Sequence, residues 1–354
     1  MKIRLIGKRN NLGIGTHYGC FADALRRQWS GHIQELDFED HSALWAAVQE
    51  SQPNDINISF VSMPLEEHFQ GHNIQWIVFE STVIPELVHK TLREAQWVWV
   101  PSSWGRDTLI ANGISAAKID LVPEGVDPNQ FQPCDIQPQT PFRFLTVGKA
   151  ERRKSLAETM IAFAQTFGTD PDVELVVKTD HFFHAGLRHQ ELQEFAAQLG
   201  GRIRIEWGAW STQQIRDLYH ACHVFVFASK GEGWGLPLIE ALASGMPAVA
   251  TAYSAPRDFL ADCASSVIPV AYDMAPVDCE DYRLFYRLQG QSMGEWAQPR
   301  VDSIAEGMRL ARENYAQLKP AALTNSRTIR GRWNWQVSAD RALKTLRDRG
   351  LLSG

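Results

Sequence analysis

Two glutamates, Glu232 and Glu240, flank a run of glycines in a chain of 354 residues. Residues 229–235, Ser-Lys-Gly-Glu-Gly-Trp-Gly, carry three glycines in seven positions. That density predicts a tight loop with unusual backbone angles. Leu236-Pro237 then opens a helix, with proline where a first-turn N–H has no intrahelical partner. Such a loop offers free amide N–H groups and the positive end of a helix dipole to an anion. A bare phosphate has no use for two carboxylates beside it. A phosphate joined to a sugar does, because sugar hydroxyls donate hydrogen bonds to carboxylates. The plainer alternative lets Glu240 complement the first helical turn and leaves Glu232 solvated.

A second anion feature lies at residues 148–155, Gly-Lys-Ala-Glu-Arg-Arg-Lys-Ser, where Lys149, Arg152, Arg153 and Lys154 put four cations into six residues. They fall between a predicted strand, Phe142–Val147, and a helix with apolar Leu156, Met160, Ile161 and Phe163. Cations at a helix start oppose its dipole. The cost makes sense if a polyanion sits among them; the alternative is a solvated basic surface.

These loops need a scaffold, and the apolar pattern supplies one. Val224–Ala228 predicts a buried strand, Leu238, Ile239, Leu242 and Ala243 the apolar face of the next helix, and Met246–Thr251 another strand. In the first half, strands are predicted at Lys2–Ile6, His32–Leu36, Asp55–Phe60, Ile74–Phe79, Trp97–Val100 and Lys118–Val122. Helices are predicted at Tyr18–Trp29, His41–Glu50, Pro85–Ala95 and Ser103–Asn112, with Lys8–Gly19 a glycine loop. This alternation is the α/β class, with doubly wound parallel sheets whose ligands bind at strand carboxyl ends. Gly13-Ile-Gly15-Thr16-His17 falls short of the full dinucleotide fingerprint. Glu80, at one strand end, either contacts an acceptor or a transferred sugar, or caps the segment that follows. Residues 272–298 read as irregular, Asp302–Leu318 and Trp333–Leu346 as helices, and Ser211–Gln214 as a capping-box variant.

At this length two domains are expected. The proline-rich stretch Asp127–Pro141 is the linker candidate, which separates domains at 1–135 and 141–333. The net charge of −6 disfavours non-specific nucleic-acid binding, and the five widely spaced cysteines fit reduced thiols of a cytoplasmic protein. The N-terminus lacks a signal-peptide pattern, and no apolar run reaches membrane-spanning length. His181, His184 and His189 match no familiar metal spacing, so no metal is expected.

Glu232-Gly-Trp-Gly-Leu-Pro-Leu-Ile-Glu240 resembles the Glu-x7-Glu signature of retaining glycosyltransferases of family four. The turns Trp99–Trp104 and Val122–Asp127, the cationic loop, Tyr253–Pro256 and Trp296–Pro299 are similar to turns of the same group. The resemblance implies the GT-B fold, two Rossmann-like doubly wound domains facing a central cleft. It implies that Glu232 approaches the donor sugar and Glu240 the ribose of the nucleotide. Gly233, Trp234, Gly235 and Leu236 would hold the diphosphate through their backbone, with Arg153, Lys154 and Lys149 as cations. Trp210 would line the base. Gly15, with Thr16 and His17 on the acceptor side, would face the cleft. The C-terminal helix, about 334–354, would return to the first domain. The implied reaction moves a sugar from a nucleoside-diphosphate sugar (a UDP- or GDP-sugar) to an acceptor glycan or small molecule. No cofactor or metal is implied. Ser155 and Ala255 replace the group's glycines, which leaves a catalytically silent nucleotide- or glycan-binding protein as the alternative.

Overall fold

The computed structural model describes residues 1–10, 13–62, 65–180, 188–278 and 291–352. By internal contacts it divides into Met1–Gly125 with Trp333–Gly354, and Val126–Arg332. Each unit is built on a six-stranded, wholly parallel sheet.

In the first unit the elements run β1 (Lys2–Gly7), α1 (Gly13–Gln28), β2 (His32–Asp37), α2 (His41–Gln49), β3 (Ile56–Ser59), β4 (His72–Trp76), α3 (Glu86–Glu94), β5 (Trp97–Val100), α4 (Ser103–Ala111) and β6 (Ile119–Leu121). The strand order is β2-β1-β3-β4-β5-β6. The chain order therefore reverses beside β1, between β1 and β3. Arg4 lies in this sheet with no exposed surface and donates to Asp55 at 2.8 Å and Asn57 at 3.3 Å, so its buried charge is paired.

The glycine loop expected over 8–19 is mostly helix: α1 begins at Gly13, five residues before the predicted start. Propensity argued against helix because glycine costs about 1 kcal/mol relative to alanine. Packing overrides it at Gly15, where a Cβ would sit 2.2 Å from Asn10 Oδ1 and 2.7 Å from the Asn10 backbone nitrogen.

The second unit contains β7 (Phe142–Val147), α5 (Leu156–Phe167), β8 (Val173–Thr179), α6 (His189–Leu199), β9 (Ile203–Trp207), α7 (Thr212–Tyr219), β10 (Val224–Phe227), α8 (Leu236–Ala243), β11 (Ala248–Thr251), α9 (Arg257–Leu260) and β12 (Val267–Val270). A 3₁₀ turn, Arg152–Lys154, precedes α5. The order β12-β11-β10-β7-β8-β9 places the switch point between β7 and β10. Every residue of β8, β10 and β11 is buried. The near-continuous apolar runs of β10 and β11 are what a sheet covered on both faces requires. Ser211 caps α7 by a reciprocal pair: its Oγ accepts from Gln214 N–H, and the Gln214 side chain accepts from Ser211 N–H.

Two expectations beyond residue 270 need correction. The segment expected to be irregular contains an antiparallel pair, β13 (Tyr272–Pro276) and β14 (Glu295–Pro299). Asp and Arg along it masked the strand signal, because the two strands pack only a small apolar cluster of Val277, Met293 and Trp296. The helix expected to end at Leu318 ends at Glu313, and a second one, α11 (Tyr315–Arg332), follows α10 (Val301–Glu313) after Asn314. Pro320 within that second helix hid it. The last helix, α12 (Trp335–Asp348), packs on α1 of the first unit.

Candidate functional site

The two loops singled out by their charges and glycines follow β7 and β10, the two strands that flank the switch point of the second sheet. In open α/β sheets that is where ligands bind. The loops touch. Glu232 is 6% exposed, and its carboxylate meets Lys154 Nζ at 2.6 Å through Oε1 and Arg153 Nη1 at 2.9 Å through Oε2. Ser229 Oγ donates to Oε1 at 2.5 Å, and the Glu232 N–H donates to Ser254 Oγ at 2.9 Å. Burial alone would push the Glu232 pKa up. Lys154 and Arg153 outweigh it and hold the carboxyl at about 2. The two cations thus favour the ionised form of Glu232.

Arg153 is buried and donates to Gly231 O at 2.7 Å and Glu151 at 3.2 Å, while its own carbonyl accepts from Lys230 N–H at 2.8 Å. Lys154 follows on the same turn, on a longer and more pliant stem. Lys149 is half-buried at the turn's start. Arg152 points outward and pairs with Asp278 at 2.6 Å. Ser155 takes a left-handed conformation that favours glycine, φ 50° and ψ 38°. Serine accepts this at a cost of roughly 1–2 kcal/mol.

Gly235 caps α8 with φ 102°, a conformation that favours glycine. Among the described residues, the N–H groups of Gly233, Gly235 and Leu236 donate to no protein acceptor. Buried or half-buried unpaired amides at a helix start are the anion-binding geometry. The Trp234 side chain points away from this use: it is 3% exposed and packs on Phe259 at 5.3 Å. Any ligand contact from Trp234 therefore comes from its backbone.

Glu240 is half-buried on α8, with Oε2 3.0 Å from Tyr219 Oη, which also lies 3.1 Å from Pro237 O. Enclosure raises its pKa to about 8, against the Tyr219 hydrogen bond. Trp210, half-buried after β9, has Lys178 Nζ 5.0 Å from its ring centroid. Burial lowers the Lys178 pKa, and its ammonium donates to Thr179 O at 3.1 Å and Gly208 O at 2.5 Å.

Gly15, Thr16, His17 and Glu80 belong to the first unit. His17 was expected to face a cleft, but it is 2% exposed inside an aromatic box. Ring centroids lie 4.4 Å from Trp76, 5.0 Å from Phe60 and 5.7 Å from Trp335, and Nδ1 is 3.5 Å from Glu124 Oε1. Burial lowers its pKa to about 3, so the ring is neutral. Its position five residues into α1 turns it onto the sheet, a direction invisible while Lys8–Gly19 was read as a loop. Thr16 and Glu80 are half-buried.

Ser229, Lys230, Ser254, Tyr219 and Glu151 complete the site and were not assigned by pattern. A lysine inside a glycine loop was the one available signal, at Lys230. It is 7% exposed and pairs with Glu158 at 3.0 Å. Arg153, Lys154 and Lys230 are thus balanced by Glu232, Glu151 and Glu158. Among the described residues no group of three His, Cys, Asp or Glu side chains could hold a metal. His181, His184 and Cys279 lie outside the described residues, and His189 stacks on Trp207 at 4.9 Å. No described helix is long and apolar enough to cross a membrane. A separate cavity of about 140 Å³ belongs to the first unit, where Asn57, Glu67 and Gln75 line it.

Residues 132–274 match the family model described as glycosyl transferases group 1. D-inositol 3-phosphate glycosyltransferase of Segniliparus rotundus is 24% identical over 281 residues, covering 75% of this chain and 56% of that protein. The chain spans between a third and three fifths of the length of such curated relatives. Among solved structures, sucrose-phosphate synthase from Thermosynechococcus elongatus superposes with a TM-score of 0.76 at 16% identity, over 99% of this chain and 100% of that one. Anabaena Alr3699/HepE in complex with UDP-glucose gives 0.72 at 14% identity, over 98% and 100%. The fold is accordingly GT-B, two Rossmann-like units.

Proposed function

We propose that the protein is a retaining glycosyltransferase, moving a sugar from a nucleoside-diphosphate sugar to an acceptor hydroxyl. The observation that carries this reading is the meeting of Lys154 and Arg153 with Glu232 beside the unpaired amides of Gly233, Gly235 and Leu236. The group 1 match covers this region, and the Anabaena neighbour was solved with UDP-glucose. A UDP-sugar is the first donor to test and a GDP-sugar the second.

In this reading the diphosphate lies between the Arg152–Lys154 turn and the start of α8. Glu232 accepts hydrogen bonds from the sugar, Glu240 accepts one from the ribose, and Trp210 lines the base. The bond from the anomeric carbon to the diphosphate oxygen breaks. The acceptor oxygen bonds to the anomeric carbon on the same face, and its proton passes to the leaving diphosphate. Lys154 and the loop amides stabilise the charge that grows there, the type of term usually largest in such reactions. Residues 141–333 form the donor domain and 1–135 the acceptor side; the site works without a metal, in the cytoplasm.

Calorimetry with UDP and GDP, followed by assay of sugar-nucleotide turnover, tests the proposal. Lys154→Ala should weaken nucleoside-diphosphate binding about tenfold or more, the loss of a charge-assisted contact. Glu232→Ala should abolish most turnover while the protein remains folded. Unchanged binding in the first variant and near-normal turnover in the second would defeat the assignment.

A further inference from the structure

The β13–β14 arm and Asp278 just beyond β13 are fastened to the site at four points, three on its loops and one on the first turn of α5. Asp278 pairs with Arg152 at 2.6 Å, and the Tyr272 ring lies 5.5 Å from Tyr253. Gln298 Nε2 donates to Glu158 Oε1 at 3.2 Å, and Ala297 N–H donates to Lys230 O at 2.8 Å. Every loop that frames the anion position therefore carries a contact to the arm.

Lys230 is the joint between arm and loop. Its N–H bonds to Arg153 O and its carbonyl to Ala297 N–H, so its backbone links the cationic turn to β14. Its Nζ pairs with Glu158 in the first turn of α5 and stands 5.2 Å from the Trp296 ring centroid. Trp296 is 3% exposed and belongs to the arm's own apolar cluster. Burying a lysine costs desolvation, offset here by one carboxylate and one aromatic face. A residue that merely closed a loop would leave its ammonium in water. On either side of Lys230, Ser229 Oγ bonds to the Glu232 carboxylate and Gly231 O accepts from Arg153. A shift of Lys230 is therefore passed directly to both.

We infer that Lys230 is a positioning residue of the donor site, and that through it the β13–β14 arm sets where Glu232 and the amides of residues 233–235 stand. This rests on the donor-site reading of those groups. Lys230 itself need not touch the substrate. Catalytic groups must be held within about 1 Å of their working geometry, and loss of that precision costs roughly a hundredfold. The arm is a means of holding a glycine-rich loop that has few side chains of its own to pack.

Lys230→Met keeps the stem and removes the charge. Amide hydrogen exchange at positions 230 and 232, whose N–H groups are bonded to Arg153 O and Ser254 Oγ, should quicken at least about tenfold as local opening becomes easier. Turnover should fall about tenfold or more and nucleoside-diphosphate affinity by clearly less, because Lys154 stays in place while the loop amides lose their alignment. Lys230→Arg should restore most of both. Unchanged exchange overturns the inference whatever the turnover. So does a parallel loss of affinity and turnover that arginine does not rescue, the signature of a purely structural lysine. If the methionine variant does not fold, Glu158→Gln breaks the same pair from the other side and is held to the same outcomes. A wild type that binds no nucleoside diphosphate overturns the functional reading and the donor-site role together; exchange at positions 230 and 232 shows separately whether Lys230 anchors the loop.

Discussion

At the scale of single residues, the acid and the cations assigned to one reaction neutralise each other. Glu232 occupies both Lys154 and Arg153. An incoming diphosphate must therefore compete with a carboxylate for its cations, and Lys154 is better placed to change partners than Arg153, which also bonds to Gly231 O and Glu151. The competition cuts both ways. Once Lys154 turns to the diphosphate, Glu232 is released toward the sugar hydroxyls. Glu232→Gln should thus separate binding from turnover. Removing the competing anion should tighten the nucleoside diphosphate by roughly tenfold, about 1.4 kcal/mol. Turnover should still fall about a hundredfold or more, because a transition-state contact is lost. Calorimetry beside a turnover assay reads both. Weaker diphosphate binding in the glutamine variant would show that the Lys154–Glu232 contact does not oppose the ligand.

At the scale of elements, α8 does two things: its N-terminus presents amides, and its second turn presents Glu240. The last residue of α7, Tyr219, reaches both turns, with its hydroxyl beside Pro237 O in the first and Glu240 Oε2 in the second. Enclosure moves the Glu240 pKa from 4.5 to about 8, so the folded protein keeps a proton that the unfolded chain gives up. A group raised in this way contributes stability that is complete below pH about 4.5 and is lost as pH rises through about 8. Wild-type stability should therefore decline across that interval relative to Glu240→Gln, which cannot ionise. Denaturant titrations at intervals from pH 5 to 9 measure the difference, whose size is reduced by the solvent that reaches this half-buried group. Parallel stability curves for the two proteins would place the Glu240 pKa near its ordinary value.

At the scale of the whole molecule, what was legible in the sequence is what repeats by period or by charge. The strands of the second sheet announced themselves because Val224–Phe227 and Ala248–Thr251 are buried on both faces and so are apolar but for Thr251. The anion loops were visible because glycine and lysine-arginine runs are costly unless used. Other features depended on contacts between distant residues, which no local pattern records. Gly15 reads as loop until Asn10 is found against it, His17 reads as a loop histidine until Trp76 and Trp335 enclose it, and β13–β14 read as irregular because they pair with each other over only a small apolar cluster. The C-terminal helix shows the same dependence. Its apolar stripe was visible, but its value lies in covering α1 within the first unit, where Trp335, Ala339, Ala342, Leu343 and Leu346 are all buried. Burying a large apolar side chain stabilises by about 1.5–3 kcal/mol. Loss of Trp335, Leu343 and Leu346 together therefore removes on the order of 5 kcal/mol, comparable to the whole stability of many domains. Truncation after Arg332 should accordingly melt the first unit well below the second, giving two thermal transitions. Only the upper one should rise on addition of a nucleoside diphosphate, since the ligand stabilises the unit that binds it. A truncated protein that kept one transition at the wild-type temperature would mean that the helix contributes little to the first unit.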